Sequence, residues 1–209
     1  AVGSGTDAIL ISLKALNLRK GDEVITAANT AIPTISEIVN SGATPKLVDV
    51  GEDYLIDPSK IEKDINKKTK VIIPVHLYGQ SCDMDRIKKI ANKYKLIIIE
   101  DCAQAHGSQY MDKMGGTFGD IGCFSFYPTK NLGALGDAGA LVTENKDIAD
   151  KLFMMRNYGS ERKYFNKILG SNRRLDEIQA AILNVKLNHF SSYISQKNYI
   201  VTRYKNELS

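Results

Sequence analysis

The chain predicts an α/β fold in which a parallel sheet carries helices on both faces. Short β-branched apolar runs alternate with amphipathic segments along 209 residues. This spacing suits parallel strands joined by helical crossovers. No apolar run approaches the roughly 20 residues that would cross a membrane. With 43% hydrophobic and 25% charged residues, the chain has the composition of a globular protein, and its length is enough to bury a substantial core.

Taken in order, Gly3-Ser4-Gly5-Thr6 leads straight into the helical pattern Ile9, Leu10, Leu13, Leu16. Glu23 to Ala27, Pro45 to Val50, Lys70 to Val75 and Leu96 to Glu100 read as buried strands. Three amphipathic segments fall between them. Thr34 to Asn40 ends at Ser41-Gly42; Asp57-Pro58 opens Ser59 to Ile65 with a cap and a first-turn proline; Asp83 to Tyr94 puts Ile87, Ile90 and Ala91 on one face. Beyond Asp101 the strands shorten, to Gly122–Tyr127 and Gly139–Thr143, and a helix follows from Lys146 to Asn157. Leu175 to Leu208 reads as mostly helix with Ile178, Ile182, Val185 and Leu187 on one stripe. The organisation expected is one domain over residues 1–170 and a connecting helix over 171–209. The chain opens inside an organised unit and ends without a cap, so further segments are expected on both sides.

The net charge of +4 is spread along the chain. Its densest stretch, Lys63 to Lys70, reads as a solvated helix end and turn, which argues against a nucleic-acid partner. The N-terminus lacks the pattern of a signal peptide. Cys82, Cys102 and Cys123 are too few and too scattered for a disulfide framework or a zinc knuckle. The expectation is a cytoplasmic protein with no metal and no membrane partner.

Three features could carry chemistry. Gly3-Ser4-Gly5-Thr6 stands before a helix, where free N–H groups and the positive end of the macrodipole favour an anion. A plain N-cap with Asp7 in the first turn is the other reading, and these residues alone leave both open. Neither a Walker sequence nor a dinucleotide fingerprint is present, which disfavours a dinucleotide-dependent oxidoreductase. Leu96-Ile97-Ile98-Ile99-Glu100-Asp101 is an apolar strand ending in acids, at the carboxyl end where α/β folds bind ligands; Asp101 there is a ligand for a cation or a loop cap. Lys130 follows a hydrophobic strand and precedes the glycine-rich Gly133 to Gly139. It is a surface group or, if desolvated, an amine nucleophile for a carbonyl. An anion cradle, a strand-end acid and a strand-end lysine together converge on pyridoxal 5′-phosphate: phosphate on the helix start, ring nitrogen on Asp101, aldehyde on Lys130.

The motifs Gly3-Ser4-Gly5-Thr6-Asp7-Ala8, Pro74-Val75-His76-Leu77-Tyr78-Gly79-Gln80, Glu100-Asp101-Cys102-Ala103-Gln104-Ala105-His106-Gly107, Phe124 to Gly133, and Arg174-Leu175-Asp176-Glu177-Ile178-Gln179-Ala180-Ala181 resemble those of the DegT/DnrJ/EryC1/StrS sugar aminotransferases. The resemblance covers essentially the whole chain. It implies an aspartate-aminotransferase-like large domain with a mostly parallel seven-stranded sheet, lacking its first segment and its C-terminal small domain. It implies Lys130 and Asp101 as catalytic residues. Gly5, Thr6 and Ser125 match the phosphate cup, Gln104 the neighbour of the cofactor's phenolic oxygen, and Asn172 a residue that reaches the neighbouring subunit's phosphate in a homodimer. Lys130, where dehydratase relatives carry His, implies transamination. The substrates implied are L-glutamate and a nucleotide-linked keto-sugar, foremost the C3 ketone of a dTDP-3-keto-6-deoxyhexose in amino-sugar or surface polysaccharide biosynthesis. C4 amination and a non-catalytic nucleotide-sugar-binding regulator are the alternatives. Two positions depart from the family pattern: Ala31, where many members stack an aromatic ring, and Arg173, where a small residue is usual.

Of the remaining candidates, His106 reads as a hydrogen-bonding structural residue rather than a cofactor ligand. His76 and Tyr78 read as lining the base of the site or packing there, Met154-Met155 as core, and Cys102 as having no base to activate it.

Overall fold

A computed structural model describes residues 1–208. Its elements are α1 (Gly5–Ala15), β1 (Glu23–Ala27), α2 (Ile32–Asn40), β2 (Thr44–Val48), α3 (Pro58–Ile61), β3 (Thr69–Ile73), α4 (Met84–Tyr94), β4 (Ile97–Asp101) and the hairpin β5 (Gln109–Tyr110) with β6 (Lys113–Met114). There follow β7 (Ile121–Ser125), β8 (Gly139–Val142), α5 (Lys146–Met155), the hairpin β9 (Ser160–Arg162) with β10 (Phe165–Asn166), α6 (Glu177–Leu187) and α7 (Phe190–Glu207).

The central sheet runs β2-β1-β3-β4-β7-β8, parallel throughout except for β8, which is antiparallel to β7. The expected seven strands are therefore six. At the seventh position Val2 makes only an isolated antiparallel bridge to Gly139, with N–O distances of 2.8 and 2.9 Å. The reason lies two residues on, where Ser4 already caps α1 and the chain leaves the sheet. β3 stops at Ile73 rather than Val75 because Pro74 has no N–H for the ladder.

Alternation along the strands divides the core. Val71, Ile73 and Ile99 face one cluster with Ile9, Leu13 and Leu152, under α1 and α5. Ile72 and Ile98 face the other with Ile61, Met84 and Ile87, under α3 and α4. Each such side chain stabilises the fold by about 1.5–3 kcal/mol when fully buried. Four helices start at side-chain caps, Ser4, Asp57, Asp83 and Asn145 each accepting a backbone N–H of the first turn, whereas α2 has none and starts at Ile32 rather than the expected Thr34.

The C-terminal segment differs from the single stripe expected. It is two helices, broken at Asn188-His189. Ile178, Val185 and Leu187 are exposed. α6 instead packs through Leu183 against Ala134 and Ala138. The Lys63 to Lys70 stretch is a helix end and turn whose lysines are exposed, as its charge suggests, and it enters β3 at the buried Thr69.

Candidate active site

Asp101 closes β4 and is 4% exposed. Its Oδ2 accepts the Thr34 hydroxyl at 2.7 Å and its Oδ1 accepts the Ala103 N–H at 3.0 Å. Neither bond exhausts the acceptor capacity of a carboxylate, and no helix follows for it to cap. Asp101 is thus a buried acid aimed past the end of its strand.

Lys130 lies in the turn after β7, where its N–H donates to Tyr127 O at 2.8 Å. It is half-buried on the wall of a cavity of about 240 Å³ that also takes in Ser4, Gly5, Thr6, Asp101 and Ser125. The acid, the lysine and the helix start, far apart in sequence, share one space because β4 and β7 are neighbours and α1 packs over β7.

At the helix start both readings of Gly3 to Thr6 hold at once. Ser4 Oγ accepts the Asp7 N–H at 3.0 Å, which is an N-cap. Among the described residues the N–H groups of Gly5 and Thr6 have no partner, as the first helical turn requires, and both residues line the cavity. Gly5 allows this closeness: a Cβ there would fall 2.5 Å from Ser125 Cβ. The absent side chain lets the end of β7 bring Ser125 against the helix start.

Two expected site residues stand elsewhere. Gln104 does not line the cavity; its Oε1 accepts the Tyr78 N–H at 3.3 Å. Asn172 is exposed and outside the cavity, its backbone bridged to Asn157. Ala31 is on the cavity wall with Pro33, so no ring faces the space at that position. Thr34, Ala103 and Asp137 were not anticipated from the sequence. The first two become visible only once α2 and the turn after β4 converge on Asp101.

The neighbouring acid does different work. Glu100 is fully buried: Oε1 accepts the N–H groups of Phe118 and Gly119 at 2.7 and 2.6 Å, and Oε2 accepts that of Gly116 at 2.8 Å. His76 completes the set. Its Nδ1 accepts the Cys82 N–H at 3.0 Å, so Nε2 carries the proton that it donates to Glu100 Oε2 at 2.9 Å. Burial pushes the Glu100 carboxyl up, but these hydrogen bonds prevail and hold it below its ordinary range. His76, Glu100 and Cys102 lie as close as metal ligands, yet the histidine nitrogens and carboxylate oxygens are already bonded within the protein. Tyr78, expected to line the base of the site or pack there, is exposed and outside the cavity.

His106 corrects the expectation of a hydrogen-bonded residue. It is buried beside the Phe124 and Phe126 rings, with centroid distances of 5.8 and 5.6 Å, and neither ring nitrogen has a partner among the described residues. Burial and then the charge of Lys130 lower its pKa to about 4. All three cysteines are free and buried. Burial pushes Cys82 and Cys123 up to about 12 and Cys102 well above its ordinary value, so none is an activated thiol.

A mostly parallel α/β sheet brings Lys130, Asp101 and the unpartnered N–H groups at the start of α1 to one cavity at its strand ends. The chain belongs to the DegT/DnrJ/EryC1/StrS aminotransferase family, whose model matches residues 1–209. It is 50% identical to a dTDP-3-amino-3,6-dideoxy-α-D-galactopyranose transaminase of Aneurinibacillus thermoaerophilus, over 97% of this chain and 56% of that protein. It is 47% identical to a pleiotropic regulatory protein of Geobacillus stearothermophilus, over 93% of this chain and 53% of that one. The X-ray structure of Streptomyces venezuelae DesV in complex with a ketimine intermediate superposes with a TM-score of 0.96 at 42% identity, covering 100% of this chain and 56% of that one. The chain spans about half the length of the curated relatives it matches.

Proposed function

We propose that the protein is a pyridoxal 5′-phosphate-dependent aminotransferase that moves an amino group from L-glutamate to the keto carbon of a nucleotide-linked deoxysugar. The carbon we favour is C3 of a dTDP-3-keto-6-deoxyhexose, in amino-sugar or surface polysaccharide biosynthesis in the cytoplasm. The observation that carries this reading is the meeting of Lys130, Asp101 and the Gly5–Thr6 helix start in one cavity. The donor set fits the cofactor. Two unpartnered N–H groups and the Ser125 hydroxyl suit a phosphate, a buried carboxylate with spare acceptor capacity suits a protonated ring nitrogen, and a primary amine suits an aldehyde. The transaminase relatives support the substrate class.

When bound, the cofactor supplies an electron sink for charge left on carbon by proton removal. The protein's residues do the rest. Gly5, Thr6 and Ser125 anchor the phosphate. Asp101, oriented by Thr34 and Ala103, holds a proton on the ring nitrogen. Lys130 Nζ would hold the aldehyde, and its free amine would serve as the base that moves a proton at the donor's α-carbon.

In the same reading residues 1–170 form the cofactor-binding large domain and 171–209 lead to a small domain. A homodimer completes the site, with Asn172 reaching the partner's phosphate and Gln104 meeting the cofactor. The exposed Ile178, Val185 and Leu187 of α6 and Tyr193, Tyr199 and Tyr204 of α7 support burial of this face in such an assembly.

The Geobacillus relative's name favours a regulatory role as the competing reading; Lys130 and Asp101 facing one cavity weigh against it. Incubating the whole protein with glutamate and a panel of keto-sugar nucleotides, then locating the aminated carbon by NMR, tests the proposal. Amination at C3 supports it, amination at C4 moves the specificity, and no conversion with any member of the panel leaves the regulatory reading.

A further inference from the structure

Arg173 reaches across 166 positions to Asp7, where its Nη1 bonds Oδ1. The contact is half-shielded, with side-chain exposures of 27% and 19%. Nε of the same guanidinium donates to Ser171 Oγ at 2.8 Å, and the Arg173 carbonyl accepts the Gly3 N–H at 2.9 Å. Residue 173 therefore holds the approach to α1 twice, once by backbone and once by charge.

Asp7 occupies the third position of α1. Its N–H goes to Ser4 Oγ, and its carboxylate turns to Arg173. A carboxylate in a first turn is ordinarily favourable, because the helix start carries about half a positive charge. Next to Thr6, however, an uncompensated carboxylate would consume that positive end and oppose a phosphate monoester of about −1.5 to −2 charge. The cation opposite Asp7 removes this conflict.

We infer that Arg173 is a positioning residue for the phosphate end of the cofactor, neutralising Asp7 so that the start of α1 meets an incoming anion as a positive pole. The inference rests on the cofactor proposed above and goes beyond it. It gives a role to a residue that does not line the cavity.

The test uses the whole protein, as wild type and as R173Q, R173K, D7N and D7N/R173Q, titrated with pyridoxal phosphate and separately with unphosphorylated pyridoxal. Binding is followed by absorbance. R173Q is expected to weaken pyridoxal phosphate by about threefold to tenfold while leaving pyridoxal within about twofold. R173K should retain affinity, and D7N/R173Q should recover it. D7N alone should bind the phosphate form as well as wild type or better, which keeps the inference testable if R173Q does not fold. Equal weakening for both ligands, no recovery in the double variant, or weaker phosphate binding by D7N would each overturn it. A wild type that binds pyridoxal but gains nothing from the phosphate removes this inference and leaves the lysine assignment standing. A wild type that binds neither removes both.

Discussion

The Thr34 hydroxyl donates to Asp101 Oδ2 across 2.7 Å, joining the first turn of α2 to the last residue of β4. Both residues are buried. Thr34→Val keeps the volume and removes the donor, so one carboxylate oxygen loses its side-chain partner. The expected destabilisation is about 1–3 kcal/mol, read as a lower midpoint in urea, with Thr34→Ser close to wild type.

Asp101→Asn should fold normally, because the amide can still accept from Ala103 and donate to Thr34. It cannot hold a proton on a pyridine nitrogen by charge. Turnover should fall by about 10²–10³-fold with an unchanged circular dichroism spectrum. Ordinary kinetics would remove Asp101 from the proposed mechanism.

Lys130→Ala should abolish turnover and leave no covalent cofactor. Borohydride reduction of the loaded wild type followed by peptide mapping should place the label on the peptide that contains Lys130; a label on another lysine overturns the assignment.

Gly5→Ala would set a Cβ 2.5 Å from Ser125 Cβ and 3.0 Å from its Cα. The gain in helix propensity is about 1 kcal/mol, whereas overpacking costs about 1–3 kcal/mol. β7 must move, so Ser125 leaves the helix start. Weakened cofactor binding with a modest loss in thermal midpoint is expected, and isothermal titration measures it.

Two buried groups set the acid sensitivity of the fold. Glu100 titrates below its ordinary value of 4.5 when folded, so its contribution is complete above that pH and is lost as pH falls through the folded value. His106 titrates at about 4 in the fold against 6.5 when unfolded. The unfolded chain therefore takes up a proton first, and stability declines as pH drops from about 6.5 to 4. His106→Leu should flatten the stability curve across that window and leave the steeper loss below it. Urea midpoints between pH 4 and 8 check both statements.

The parallel strands were legible because runs such as Glu23 to Ala27 are short, apolar and bounded by turns, and their ends moved by only one or two residues. The hairpins Gln109–Met114 and Ser160–Asn166 were not. Their strands of two or three residues carry no period, and they form where the chain folds back on itself rather than from local preference. Asp101 and Lys130 were singled out not alone but by their combination with the helix start, and the structure brings all three to one cavity. Thr34 and the Asp7–Arg173 pair could not, since each depends on elements 67 and 166 residues apart meeting in space. α6 misled for a related reason: its apolar stripe is real, but it does not face the body of this chain.

Glu100 and Asp101 are written side by side yet answer to different tests. One grips the Gly116–Gly119 turn, and the other looks into the cavity. A library randomised at both codons should therefore separate cleanly. Losses at the first codon would show as insoluble or protease-sensitive protein, and losses at the second as well-expressed but inert protein. An inactive variant from this dipeptide can be sorted by a gel before any assay is run.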